Sequence, residues 1–547
     1  MVGTQLSSPG VYVEEIPSGV HTVTGVATSV TAFVGRALRG PVETPVHVFG
    51  FEDFAQRFGG LWRESTLGYA VRDFFANGGS DAVVVRLAGG AARARLTVGN
   101  LPLVAVERGS WGVALRAEID TEDIDQVVAD GLAVPKNSLF NLTVRDSSPG
   151  GRAESFRNLS VAANARNVKS VLAAGSALVR VEGDTADLEP VAGADPLGAA
   201  EKAVADARAA YQSGNGAKVD LDAAQQDLRQ ALDAALAAVG DGEPLTAAAD
   251  FLPSGAADDH AGLYALDHVD LFNLLCIPPH RREAGDLEPG LLSAALAYCK
   301  GRRAVLLVDP RDDWTDPAGN AQGWLDAIDG PREYAAVYFP RLRRPDPEQG
   351  GRIADFAPSG AVAGVLARTD AARGVWKAGA GIEAGLVGAP DLSLRLTDGQ
   401  NGLLNPLGIN CLRSFPTVGR VVWGARTAAG ADVLASEWAY LPVRRLALFI
   451  EESLFRGTQW VVFEPNGEAL WGQVRLSVGA FMQQLFRQGA LQGSSPRDAY
   501  FVKCDAETTT QADRDLGVVN IRVGFAPLKP AEFVVVQIQQ MSEATPS

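Results

Sequence analysis

Residues 304–309 read AVLLVD and residues 335–339 read AAVYF, and these two apolar runs decide the fold at the centre of the chain. Neither run alternates with polar residues, which is typical of strands buried on both faces of a parallel sheet. Another apolar run at 270–278 (DLFNLLCIP) precedes them, and a helix is predicted between, over 291–299. Strand, helix and strand at this spacing predict a βαβ unit.

The same pattern occurs near the beginning of the chain. Residues 65–76 (STLGYAVRDFFA) have helical apolar spacing, with a Ser/Thr start and a glycine-rich end, and residues 82–87 (AVVVRL) predict a buried strand. Residues 22–36 are rich in Thr and Val, which favours a further strand. We therefore join 23–90 and 262–360 into one α/β core domain.

Residues 91–261 interrupt that core with a segment of different character. Its strand-like pieces give way to an Ala-rich stretch at 196–240, which has Gly214-Asn215-Gly216 at its middle. The strong helix formers on both sides predict a helical hairpin within a surface insertion domain. A coiled-coil partner face is the alternative, and a solvated hairpin is preferred because Leu and Ile are few at seam positions.

The remaining part, 361–526, predicts an α+β domain. A helix over 471–488 carries a wide apolar stripe, and a second helix is predicted at 446–455. Strands are predicted at 500–504 and 518–525. The chain as a whole is therefore predicted to be multidomain α+β, with an α/β core, a variable insertion and this C-terminal domain.

Both ends of the chain carry short strand-like segments that proline separates from the body. Val11 and Val13 lie in the first, and Val534, Val536 and Ile538 alternate in the second, after Pro527 and Pro530. A lone strand cannot satisfy its own backbone donors and acceptors. Each segment must fold back on its own sheet or add to the sheet of another chain, and periodicity leaves both open.

Composition restricts the class of protein. The 547 residues carry a net charge of −16, which disfavours a nucleic-acid partner. The first residues lack a basic start and an apolar stretch, and 18 consecutive apolar residues occur nowhere, so neither export nor membrane insertion is expected. The four cysteines form no CxxC pair and are expected to be small buried side chains in a reducing compartment.

The sequence offers no constellation for catalysis, for a metal or for a cofactor. It has five histidines and contains no HExxH, GxSxG or GxxxxGK[ST] motif. Asp309 lies at a strand end, where α/β enzymes place ligands, but one carboxylate there is weak evidence; for His268 a structural role is the preferred interpretation. Glu451 and Glu452 diverge by about 100° on a helix, so we interpret them as a salt-bridged face. An enzyme is not expected.

The C-terminal third resembles phage-type contractile tail sheath proteins, the subunits of contractile injection systems. The resemblance rests on WAYLPVRRL at 438–446, EESL at 451–454, GTQWVVFEPN at 457–466 and FRQG at 486–489. Upstream, NPLGIN at 405–410 and WGART at 423–427 also fit, as does SPGVYVEE at 8–15 near the other end. The resemblance thins over 91–261.

This resemblance implies a structural subunit that stacks as hexameric rings around an inner tube and contracts to drive the tube through a target envelope. The implied partners are other copies of the chain, the inner tube protein, and baseplate and terminator or cap proteins. Assembly would take place in the bacterial cytoplasm, as part of a phage tail or tail-like particle. The alternative function is a self-contained binding or adhesin-like module that uses the 91–261 insertion.

The resemblance also assigns roles to residues. It makes 1–22 and 527–547 linking arms whose strands add to sheets of neighbouring subunits. The expected donated strands are Val11, Tyr12 and Val13, and Val534, Val536 and Ile538; the candidate acceptor carries Val519, Ile521 and Val523. For the contact with the inner tube, the candidates are Phe486, Arg487 and Gln488, with an internal salt bridge of Arg487 as the alternative.

Overall fold

The computed structural model describes residues 21–533, except for 149, 186–187, 244, 246, 280–285, 312, 315–320, 322, 324 and 432–434. The strands are β1 (Thr31–Arg36), β2 (Val46–Val48), β3 (Ala82–Leu87), β4 (Arg93–Val98), β5 (Leu101–Arg108), β6 (Leu115–Asp120), β7 (Phe140–Asp146), β8 (Ala153–Leu159), β9 (Val179–Val181), β10 (Gly193–Ala194), β11 (Leu274–Cys276), β12 (Val305–Val308), β13 (Ala335–Phe339), β14 (Leu342–Asp346), β15 (Arg352–Phe356), β16 (Asp391–Leu392), β17 (Ile409–Phe415), β18 (Gly419–Val422), β19 (Tyr500–Lys503) and β20 (Arg522–Phe525). The helices are α1 (Phe51–Phe58), α2 (Leu67–Ala76), α3 (Gln126–Leu132), α4 (Val168–Gly175), α5 (Pro196–Gln212), α6 (Lys218–Val239), α7 (Ala248–Phe251), α8 (Ala256–Asp259), α9 (Pro289–Gly301), α10 (Ser359–Arg373), α11 (Asp398–Leu404), α12 (Leu441–Gly457), α13 (Glu468–Arg487), α14 (Pro496–Ala499) and α15 (Gln511–Asp515).

The chain divides into two compact units. The large unit contains Ser29–Ala371 and Gly379–Ala439. The C-terminal unit contains the described residues from Tyr440 onward, together with Ala372–Ala378 and residues 21–28. Each unit has its own hydrophobic core, and each is described by itself below.

An eight-stranded sheet organises the large unit, in the order β18-β17-β13-β12-β11-β1-β3-β2. The six strands from β17 to β3 in that order run parallel. Every residue of β1, β3, β12 and β13 is buried, as expected for strands covered on both faces. The multidomain α+β class predicted from the sequence, with an α/β core, is confirmed.

One predicted domain boundary is wrong. The sequence assigned everything from 361 to 526 to the C-terminal domain, whereas β17 pairs in parallel with β13, aligning Ile409 with Val337. β18 then closes that edge of the core sheet. The order of strands in a parallel sheet need not follow their order in the chain. The sequence of β17 therefore does not indicate that its partner is β13.

The insertion builds a second core within the large unit. Two antiparallel sheets, β10-β6-β7-β8 and β4-β5-β9, bury apolar side chains between them, including Trp111 and Phe140. The predicted helical hairpin consists of α5 and α6. Asp195 caps α5 by accepting hydrogen bonds from the N–H groups of Leu197 and Gly198. Helix α6 has no buried residue, which fits a solvated hairpin.

The strand predicted over 22–36 is wrong in its first part. It begins only at Thr31, and residues 21–28 pack within the C-terminal unit instead. The Thr- and Val-rich composition is the same throughout, but the first half finds its hydrogen-bond partners on two helices and not in a sheet.

Candidate assembly surface

Two long helices form the body of the C-terminal unit. The apolar stripe predicted on α13 is buried, with Val474 and Met482 fully inaccessible. It packs with Leu446 and Ile450 of α12 in one hydrophobic core. The core buries the apolar face of α13 from Leu470 to Leu485, so this face stabilises the fold and the opposite surface of the helix is available for other contacts.

Charged side chains of α12 pair with one another, as predicted. Glu451 accepts a hydrogen bond from Arg444 at 2.9 Å, and Glu452 accepts one from Arg456 at 2.8 Å. Arg444 and Glu452 are buried. Because each carboxylate is paired with an arginine of the same helix, we interpret Glu451 and Glu452 as structural residues.

Residues 21–28 lie across α12 and α13 as an extended segment. The Ser477 hydroxyl donates to the His21 carbonyl at 2.5 Å, the Val26 N–H donates to the Ser453 hydroxyl at 3.2 Å, and Arg445 donates to the Thr28 carbonyl at 2.8 Å. These bonds satisfy main-chain groups that have no sheet partner. The N-terminal end of the segment is thereby anchored to the C-terminal unit.

Apolar contacts reinforce this anchoring. Val23 is buried in the core of the unit, and the His21 ring stacks on Trp460 with 4.1 Å between centroids. Gly457 permits the close approach, because a Cβ there would lie 2.7 Å from Cγ1 of Val23. Val11, Tyr12 and Val13, the predicted N-terminal strand, lie outside the described residues.

Sequence reasoning missed the two serines that hold this segment. Ser453 and Ser477 are buried and sit within the apolar stripes of α12 and α13. A hydroxyl on a buried apolar face needs a partner, so a serine interrupting such a stripe was the available signal.

The predicted acceptor region contains a two-stranded antiparallel sheet. β19 pairs with β20, aligning Val502 with Val523. Of the three predicted acceptor residues, only Val523 lies in β20; Val519 and Ile521 precede the strand. All three are half-buried against the core of the unit.

The edge of β20 opposite β19 has backbone N–H and C=O groups that point away from the two-stranded sheet. The Ala526 N–H donates to the Ala499 carbonyl at 2.8 Å, which fixes the side of the strand that faces β19. Alternate residues of an antiparallel strand direct N–H and C=O to opposite edges. Val523 and Phe525 therefore direct theirs away from β19, where the described part of the chain supplies no third strand.

The chain continues from β20 toward its C-terminal end along the same unit. Pro527 forms an antiparallel bridge with Leu491, and Phe533 is exposed. The predicted C-terminal strand, with Val534, Val536 and Ile538, lies outside the described residues.

The candidate tube-contact residues lie at the C-terminal end of α13. Phe486 is half-buried on the core, while Arg487 and Gln488 are exposed. Arg487 makes no salt bridge with any residue that the structure describes, so the internal ion pair considered as the alternative is not observed. Burial raises the pKa of Tyr500, and the nearby charge of Arg487 opposes that shift.

The isolated candidates for chemistry have structural surroundings. Asp309 is half-buried and accepts hydrogen bonds from the N–H and hydroxyl of Ser359, at 2.8 and 2.7 Å. Burial raises its pKa to about 6, and the Ser359 bonds oppose the shift. His268 is exposed and lies 5.1 Å from the ring of His260. The four cysteines are buried and free, as expected.

The described residues also bear on metal binding and on membrane insertion. They contain no group of three or more side chains that could hold a metal ion. Their helices include none that is both long and apolar enough to cross a bilayer.

A family model matches the C-terminal part of the chain. Residues 435–541 match the family model described as the phage tail sheath C-terminal domain. No curated protein matches the chain. The resemblance to contractile tail sheaths found in the sequence is thus confirmed where its motifs are densest.

Solved structures match nearly the whole chain. A chain in the cryo-EM structure of the anti-feeding prophage baseplate is 24% identical, with 98% of this chain and 100% of that chain covered and a TM-score of 0.54. A chain of the sheath complex of PVC, an extracellular contractile injection system, in its contracted state is 22% identical, with 99% of each covered and a TM-score of 0.55. The sheath tail protein Lin1278 from Listeria innocua is 13% identical, with 93% and 96% covered and a TM-score of 0.56. At these identities the likeness establishes a shared fold.

Proposed function

From the sheath domain at 435–541 and the sheath fold of the whole chain, we propose that this protein is the structural subunit of a contractile sheath. The observation that supports this most directly is the outward edge of β20, in the same unit that anchors the N-terminal segment. Both extensions of the chain thus leave from a unit that also offers a free strand edge.

Neighbouring subunits exchange strands at that edge. An arm carrying Val11, Tyr12 and Val13, or one carrying Val534, Val536 and Ile538, adds beside Val523 of another copy. Main-chain hydrogen bonds then join the subunits, and their apolar side chains cover the sheet. Because each linkage is a short sheet, subunits can rotate as rigid bodies without losing it.

The assembled sheath consists of stacked hexameric rings around an inner tube, and its contraction drives the tube through a target envelope. Its partners are further copies, the inner tube protein, and baseplate and terminator or cap proteins. Assembly takes place in the bacterial cytoplasm without a nucleotide, since the energy is stored in the extended state.

Contact with the inner tube is assigned to the end of α13. Arg487 and Gln488 are exposed there, and the guanidinium of Arg487 has no carboxylate partner among the described residues. An exposed cation next to the half-buried Phe486 suits an acidic or polar surface on the tube.

Truncation of the C-terminal arm tests the proposal. Deletion of residues 527–547 should leave soluble, folded protein that forms no tubes in negative-stain images. The matched control deletes only 541–547, which keeps Val534, Val536 and Ile538 and should still polymerise. Long tubes from the 527–547 deletion would contradict strand exchange.

A further inference from the structure

The loop between α12 and α13 exposes an aromatic side chain that packs against nothing in the described chain. Phe463 is fully exposed, and the preceding Val462 is 58% exposed. The backbone of Phe463 has a φ of 70°, in the left-handed region that L-residues with bulky side chains rarely adopt. Such strain persists only where surrounding contacts impose it, and it concentrates at functional positions.

Those surrounding contacts lie on both sides of the loop. Trp460 and Val461 pack on the core of the unit before it. After it, Asn466 accepts a hydrogen bond from the Trp471 indole at 2.9 Å and donates one to the Val518 carbonyl at 3.0 Å. The loop is therefore held in place at both ends, and its exposed tip is fixed in direction.

The bond to Val518 brings a second exposed loop beside the first. Leu516 is 79% exposed and Val518 is 40% exposed. The Arg514 guanidinium lies 5.6 Å from the Trp471 ring centre, which ties this second loop to the same tryptophan. We call Val462, Phe463, Leu516 and Val518 the Phe463 patch. Exposed apolar side chains on two loops that a hydrogen bond holds side by side are typical of protein–protein contacts.

The position of the patch identifies its occupant. His21, the first described residue, stacks on Trp460, two residues before Val462, so the described N-terminal segment starts close to the patch. The predicted strand at 11–13 lies eight residues before His21, and covalent geometry limits that distance to about 27 Å. A neighbour that receives this strand is therefore held within reach of the patch.

We propose that the Phe463 patch is a docking surface for a second copy of the chain, the same neighbour that receives the N-terminal strand. The inference rests on the proposed sheath function and adds a side-chain contact to the main-chain linkage. Phe463 would bury its ring on that neighbour. The absence of charge among the four side chains suits a permanent contact between copies.

Photocrosslinking tests who the occupant is. The reactive analogue p-benzoylphenylalanine is placed at Phe463 in full-length chain co-expressed with its inner tube protein, and assembled tubes are irradiated. The expected product is a crosslinked pair of 57.5 kDa chains. A crosslink to the tube protein instead, or none in intact tubes, would overturn the proposal. Tubes of the wild-type chain test the sheath function separately.

Phe463→Gly measures the energetic contribution. Glycine adopts the left-handed φ without strain, so the thermal midpoint should not fall. Loss of one buried ring from each contact should raise the concentration needed for polymerisation about tenfold or more. Val127→Ser, at an exposed position in the large unit, is the control and should polymerise as wild type. Unchanged polymerisation of Phe463→Gly would also refute the docking role.

Discussion

The substitution Val523→Pro tests the outer edge of β20 without disturbing the hydrogen bonds to β19. The Val523 N–H points away from β19, so proline there removes no hydrogen bond within the sheet, and an outward-facing N–H is where proline is tolerated in strands. The cost to folding is the partial loss of a half-buried valine, about 1 kcal/mol. Across the proposed subunit contact, however, one N–H donor would disappear and an acceptor on the incoming strand would be left unpaired.

That unpaired acceptor sets the size of the effect on assembly. A lost hydrogen bond that leaves a buried partner unsatisfied costs about 1–3 kcal/mol, which corresponds to roughly a 5- to 150-fold weaker contact. The assay is the concentration dependence of tube formation by sedimentation, with circular dichroism of the unassembled chain as the measure of folding. The substituted chain should remain folded and polymerise only at higher concentration.

The neighbouring residue provides the control. The N–H of Arg522 faces Lys503 of β19, so Arg522→Pro breaks the sheet itself and should lower the stability of the unassembled chain. If Val523→Pro polymerises like the wild type, the outer edge of β20 receives no strand and our reasoning about it is wrong.

Three further results are expected. Gly457→Ala places a Cβ 2.7 Å from Val23, so hydrogen exchange at the Val26 amide should quicken; Gly472→Ala, whose Cβ meets nothing nearer than 3.8 Å, should not change it. Asp309 has a pKa of about 6 in the folded chain, against an ordinary value of 3.8. Between these values the folded chain keeps the proton that the unfolded chain loses. The free energy of unfolding should therefore fall as the pH rises from about 4 to 6. Asp309→Asn should remove that contribution, about 3 kcal/mol, and identical pH dependence of the two proteins would contradict the assignment. Arg487→Glu should abolish co-sedimentation with the inner tube while leaving self-assembly intact, whereas Gln473→Glu, exposed on the same helix, should leave both unchanged.

The sequence was most informative where burial sets the pattern. The runs that form β12 and β13 are buried on every side, so composition alone identifies them as strands of a parallel sheet. The stripe on α13 is equally direct, because one face of the helix meets a core.

Prediction from the sequence failed where pairing with a distant part of the chain determines the structure. β17 joins the core sheet through a pairing with β13 that spans more than seventy positions of chain, and no local feature predicts it. Val519 and Ile521 continue the alternating pattern of β20. They lie outside the strand because β19 pairs only with residues from Arg522 onward. Residues 21–28 have the composition of a strand. Their main-chain groups, however, bond to Ser453 and Ser477 of two helices and not to another strand.

Whether a terminal strand folds back or crosses to a neighbour is also invisible to periodicity, and a comparison of two sheet edges now bears on it. β8 is an edge strand of the insertion, and its exposed positions include Ala153, Ser155 and Arg157, with Glu154 half-buried. Charged side chains on an edge oppose pairing with other chains. β20 carries one charge, Arg522 at its start, followed by Val523, Gly524 and Phe525. An unprotected edge of this kind is a liability in a protein that stays monomeric. In a chain whose two ends are each predicted to donate a strand, it is the expected place for another copy to bind.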